Sequence, residues 1–292
     1  MSSAFGYAGT EKKYAMIMRK STFYISGLLL VMGCSENDKL PKVKYYQFDF
    51  PVNYSHNNDT LKVEIRNPLN CPLRISLSSA DTSLHDIVAK FGTVTLKEKS
   101  DTIVNYYLKG QKKIGLGFNS VVGDLTKKIL KEKFSLPFPK NRSYKIIQGY
   151  NGSHSHNTDY SRYAIDFSLN IDDTVCSAAD GYVVGVIKDY ELGGTTQKWT
   201  DYSNYITIYH PQSGLFTQYV HLIKNGSFVK VGDTVVKGQP IGLSGMTGYT
   251  TIPHLHFSVL KPDLKDGLAS TESEFEEGYK GTDLTENTTV KK

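Results

Sequence analysis

Pro253-His254-Leu255-His256-Phe257-Ser258-Val259 is the stretch on which the fold turns. Polar and apolar residues alternate, the two-residue period of a strand with one buried face. His254 and His256 then share one side, and Leu255 and Phe257 enter a core on the other. Two imidazoles side by side on a strand backed by a core are well placed to bind a metal. Six of the eight histidines in the chain lie between His154 and His256. Working outward, Leu215-Phe216-Thr217-Gln218-Tyr219-Val220-His221 reads as a second strand ending in a histidine. Tyr163-Ala164-Ile165-Asp166-Phe167 reads as a third, with Asp166 facing away from Ile165 and Phe167. The turn before it holds His154-Ser155-His156.

Zn²⁺ is held by His nitrogens and Asp or Glu oxygens in tetrahedral sites, and catalytic sites keep one position for water. Two histidines, an aspartate and further histidines nearby meet that requirement. No His-Glu-x-x-His stands in the sequence, so the pattern with a helical glutamate base is excluded. His56 and His85 have no histidine neighbours and read as surface or capping residues. His210 ends a strand and reads as structural. Cys176 reads as a buried thiol, since a nucleophilic role needs an adjacent histidine and a lowered pKa. A bridge between Cys176 and Cys71 does not follow from sequence.

These phrases, with Ala178-Ala179-Asp180-Gly181, Val231-Gly232-Asp233, Lys237-Gly238-Gln239-Pro240 and Ser244-Gly245-Met246-Thr247-Gly248 in order between them, resemble the lysostaphin/LytM-type zinc endopeptidases that cut peptidoglycan peptides. The resemblance covers about residues 148–260. It implies an antiparallel β-sheet forming the floor of a groove, Zn²⁺ as cofactor and peptidoglycan as partner. Carried over, Asp166 and His256 are metal ligands, and His221 and His254 are the catalytic histidines. The family's first histidine stands four residues before the aspartate. Here that position is Arg162, which cannot lose its proton to bind zinc. The nearest upstream histidines are His156 and His154. A branch of the family with a longer loop carries Ser-His, which Ser155-His156 resembles, so His156 is preferred as the third ligand. The implied activity is hydrolysis of peptide bonds in stem or cross-link peptides. The alternative is a metal-free wall-binding activator of other peptidoglycan hydrolases.

Met18-Arg19-Lys20, an apolar run from Phe23 to Met32 and Gly33-Cys34 describe a secretory signal. The run is shorter than the roughly 20 residues a spanning helix needs. The exit resembles a bacterial lipoprotein site and implies lipidation of Cys34. The expected location is the cell envelope, anchored to a membrane by that lipid, at the outer membrane or a periplasmic face.

The whole chain reads as all-β. The expected divisions are a signal peptide over residues 1–34, a tether over 35–41, and a small β-sandwich-like domain over 42–110. A linker with a short helix follows over 111–143, then the zinc peptidase domain over 144–264 and a mobile polar tail over 265–292. In the sandwich, alternation marks strands at 45–50, 61–65, 73–77, 94–96 and 103–107. Leu and Ile at helical spacing over 125–136 predict the linker helix. A charge of +5 on 292 residues is mild, and without Lys/Arg runs or interleaved aromatics nucleic acid is excluded as a partner.

Overall fold

The computed structural model describes residues 5–6, 40–110, 114–265 and 267–292. The signal segment, Cys34 and most of the tether lie outside the described residues. No helix among the described residues is long and apolar enough to cross a membrane.

The chain is built almost entirely from strands. The alternation of Leu215–Val220 and Leu255–Pro262 makes them neighbours at the centre of a nine-stranded sheet. Around them, in spatial order, run Thr234–Val235, Gly181–Ile187, Tyr205–His210, Leu215–Val220, Leu255–Pro262, Ile165–Phe167, Ser143–Gln148 and Thr289–Lys291. Leu268–Ser270 also pairs with Leu255–Pro262. One face of this sheet carries Ile165, Phe167, Tyr219, Leu255, Phe257 and Val259 into the main core. A three-stranded sheet of Thr174–Cys176, Pro240–Ser244 and Leu222–Ser227 adds Val175, Ile241 and Leu222 to that core.

The opposite face is divided. At one end, Val184, Tyr209, Phe216 and Leu260 form a second core with Leu61, Val63, Leu73, Ile75 and other residues of the N-terminal region. That region has two small sheets. One pairs Val52–Asn57, Thr60–Arg66 and Asp101–Tyr107; the other contains Leu73–Ser78, Thr93–Leu96 and Gly117–Val122. Strand alternation puts His256, Ser258 and Leu260 on one side, and likewise Val220, Gln218 and Phe216. The N-terminal sandwich and the histidines therefore share one face of the large sheet. Buried Arg74 ties the two regions further, donating to the carbonyls of Asp263, at 2.9 Å, and Gly267.

Four expectations are corrected. Residues 125–136 form no helix: Leu125, Ile129 and Leu130 are exposed, while Phe134 and Leu136 at the end of the segment enter the main core. Tertiary bonds hold the segment extended, with Lys127 reaching the Tyr209 hydroxyl and the Pro211 carbonyl at 2.8 Å, and Leu130 N–H reaching the Ser213 carbonyl at 3.0 Å. The tail is ordered, because Phe275, Leu284 and Val290 are single apolar residues buried in the main core and Thr289–Lys291 closes the sheet edge. The sandwich extends past residue 110 to include Gly117–Val122, and it contains a helix, His85–Phe91, that alternation could not reveal. Residues 45–50 make no strand; they lie against the large sheet, where the Val186 N–H donates to the Gln47 carbonyl at 2.9 Å. Cys71 and Cys176 are free, buried thiols, and burial raises the pKa of each.

Phe216 is fully buried between the two regions. Truncation to Ala should cost about 3–5 kcal/mol, read by urea denaturation. A loss below about 1 kcal/mol would contradict the shared core.

Candidate metal centre

Asp166 and His256 are direct cross-strand partners, and Asp166 is also opposite Gln148 on its other side. The sheet alone thus sets a carboxylate beside an imidazole. His156 arrives separately, on the turn between Ser143–Gln148 and Ile165–Phe167, where its N–H bonds the Gly152 carbonyl at 3.0 Å. Its Nε2 lies 3.2 Å from Asp166 Oδ1 and 3.2 Å from His256 Nδ1, and His256 Nδ1 lies 2.9 Å from Asp166 Oδ1. All three residues form a group able to hold a metal ion.

The donor set fits Zn²⁺. Ligands at about 2.0–2.1 Å in a tetrahedron stand roughly 3.3 Å apart, close to the spacing of these three atoms. Two imidazole nitrogens and a carboxylate oxygen packed this closely repel one another unless a proton or a cation lies among them. The far nitrogen of each ring is also held. His156 Nδ1 is 2.8 Å from the Gly149 carbonyl, an acceptor only, so Nδ1 carries the proton and Nε2 has the lone pair. His256 Nε2 meets Ser258 Oγ at 3.1 Å. Such partners fix tautomer and ring orientation in metal sites.

His221 and His254 stand beside this group with ring centroids 4.5 Å apart. His221 Nδ1 donates to the Thr247 carbonyl at 2.7 Å, and His254 Nδ1 to the Ile252 carbonyl at 2.9 Å. Both rings therefore leave the lone pair on Nε2, and His254 Nε2 is 3.8 Å from Asp166 Oδ2. Thr250 Oγ1 also lies 3.2 Å from His254 Nδ1. His221 sits where the chain leaves the large sheet for the small one, with φ at 68°. That left-handed conformation costs a non-glycine residue roughly 1–2 kcal/mol, and strain of this kind gathers at functional positions.

Burial penalises the ionised form of Asp166, but the charges of His254 and His256 and the bonds from His156 and His256 outweigh it. The carboxyl is held well below its usual range. Burial also disfavours charge on His156, yet the bond and charge of Asp166, with the Gly149 carbonyl, raise its pKa. His221 is pushed well below the ordinary histidine value by burial first, then by His254 and His256. His256 is lowered by burial, which Asp166 opposes.

The structure brings together His156, Asp166, His221, His254 and His256. It leaves His154 outside the group, stacked on Tyr249 at 5.3 Å. Arg162 pairs with Asp159 at the surface. His210 is a structural residue, bonded to the Asp180 carbonyl and Thr217 Oγ1. Trp199 and Tyr202 pack with Ile187 and Tyr190 in a separate small cluster. Sequence reading missed Gln148, whose Nε2 donates to Asp166 Oδ2 at 3.1 Å, and the partners Gly149, Thr247, Ile252 and Ser258. Most of these act through backbone carbonyls, which carry no residue-type signal. Ser258 was within reach, two residues after His256 on the same strand face.

Below the ordinary histidine pKa of about 6.5 the unfolded chain binds a proton at His221 while the folded chain does not. The stability that follows is full above that value and is lost as pH falls toward the depressed folded pKa. Metal-free protein should therefore resist urea less at about pH 5.5 than at about pH 7.5, and His221→Gln should reduce the difference, leaving the part that His210 and His256 contribute. An unchanged slope in the variant would show that His221 titrates normally.

Residues 160–268 match the family model described as Peptidase family M23. An uncharacterized metalloprotease of Buchnera aphidicola subsp. Baizongia pistaciae is 35% identical over 127 residues, covering 42% of this chain and 30% of the relative. Peptidoglycan DD-endopeptidase ShyB of Vibrio cholerae is 35% identical over 127 residues, covering 42% and 27%. Lysostaphin of Staphylococcus staphylolyticus is 42% identical over 98 residues, covering 32% and 18%. The chain spans less than a third of the length of each of these relatives. His156 lies just before the matched segment, while Asp166, His221, His254 and His256 lie within it. This chain carries a Peptidase family M23 domain, with homologues named as metalloproteases and peptidoglycan endopeptidases.

Proposed function

We propose that the protein is a zinc metalloendopeptidase that hydrolyses peptide bonds in the stem or cross-link peptides of peptidoglycan. The observation that carries this reading is the convergence of His156, Asp166 and His256 beside a second pair of histidines whose Nδ1–H groups are held by carbonyls. The printed name of the relative ShyB, a peptidoglycan DD-endopeptidase, supports the choice of substrate. A metal-free activator would need no such cluster, and the intact donor set favours catalysis over that alternative.

In this reading His156 Nε2, Asp166 Oδ1 and His256 Nδ1 hold the ion. When bound, Zn²⁺ supplies Lewis acidity that acidifies water and polarises a carbonyl. His221 and His254 are the proton carriers. Each has its Nδ1–H tied to a backbone carbonyl, so Nε2 is the atom that accepts a proton from water and returns it to the departing amine. The depressed pKa of His221 keeps that ring neutral and able to accept. Asp166 stays ionised throughout, offsetting positive charge in a buried setting.

The same proposal places the protein in the cell envelope, anchored by lipid on Cys34. The support is the basic, apolar and Gly33-Cys34 sequence alone.

Purified peptidoglycan incubated with the protein should release soluble fragments with new amino termini. A zinc chelator should stop the release and added Zn²⁺ should restore it. His254→Ala should retain zinc and lose turnover by about 10²-fold or more. Digestion that persists undiminished in the chelator or in His254→Ala contradicts the reading.

A further inference from the structure

The turn that delivers His156 has no strand register to hold it against Asp166. We infer that Gln148 is the positioning residue that does so, an inference that rests on the metal-centre reading above. Its carboxamide touches both sides. Nε2 donates to Asp166 Oδ2 at 3.1 Å and to Ser155 Oγ at 2.7 Å. Oε1 accepts the N–H of His154 at 3.1 Å and of Ser155 at 3.4 Å. A carboxylate only accepts and a backbone N–H only donates, so these partners fix which end of the amide faces which.

Two further observations support the assignment. Gln148 is the direct cross-strand partner of Asp166, so the sheet places it there independently of the turn. Gly152, on the same turn, makes room for it: a Cβ at that position would stand 2.3 Å from Gln148 Cγ and 2.8 Å from Oε1. The turn is thus folded around the amide. By occupying Oδ2, Gln148 leaves Oδ1 as the atom facing His156 and His256. Both Gln148 and His156 lie before the segment that matches the family. The longer route to the first histidine thus comes with its own brace. Outer partners of this kind typically alter metal affinity by roughly 10- to 100-fold.

The test uses the full chain and two near-isosteric variants. Gln148→Met removes every bond. Gln148→Glu keeps an acceptor for the turn N–H groups but sets a carboxylate against Asp166. Zinc affinity is measured by competition with a chromophoric chelator, the visible spectrum is recorded with Co²⁺ in place of zinc, and urea stability is measured without metal. Zinc binding should weaken roughly 10- to 100-fold in Gln148→Met and at least as much in Gln148→Glu. The cobalt spectrum should change in both, and metal-free Gln148→Met, which adds no charge, should lose less stability than metal-free Gln148→Glu, which sets a second carboxylate beside buried Asp166. Wild-type affinity in both variants overturns the inference alone. A loss of affinity with an unaltered cobalt spectrum and an equal loss of metal-free stability also overturns it, since the role would then be structural. No zinc in the wild type overturns the metal reading, and this inference with it.

Discussion

Asp166 is paired directly with His256 across two central strands, and the site depends on that register. A slip of one residue in either strand would send one of the two side chains into the main core. The register is held from behind by Ile165, Phe167, Leu255 and Phe257, all fully buried or nearly so. An ionised carboxylate survives at this depth because three imidazoles and an amide surround it, as a buried charge requires. The centre is therefore set by packing on one face of the sheet and by hydrogen bonds on the other.

The other face has two uses. Its far end is covered by the N-terminal sandwich through Tyr209, Phe216 and Leu260. Its near end holds the histidines. Between them lie Ser258 and Gln218, the latter accepting from the Tyr160 hydroxyl at 2.9 Å. The sandwich is thus part of the support of the large sheet, and Leu40–Phe50 adds to it along the strand Gly181–Ile187.

How much of this was legible in the sequence depended on how local each signal is. The alternation around His254 and His256 fixed both the strand and the facing of its residues, because one strand face is buried along its whole length. His221, Asp166 and His156 were readable as candidates. Nothing in their spacing could show that His156, and not His154, turns inward; that choice is made by the bonds to Gly149 and Gly152. The segment over 125–136 misled because Leu125, Ile129 and Leu130 sit at helical spacing yet stay exposed, while Phe134 and Leu136 are buried from an extended stretch. The tail misled for the opposite reason: its few apolar residues are isolated in sequence, and each fills a place in a core built by distant strands. Gln148 had no motif at all, and its place opposite Asp166 follows only from the sheet.

The central claim is that His156, Asp166 and His256 bind one zinc ion. Diffraction from crystals grown with Zn²⁺, recorded at the zinc absorption edge, tests it most directly. The account predicts a single anomalous peak among His156 Nε2, Asp166 Oδ1 and His256 Nδ1. An absent peak, or one held by His154 in place of His156, would contradict it.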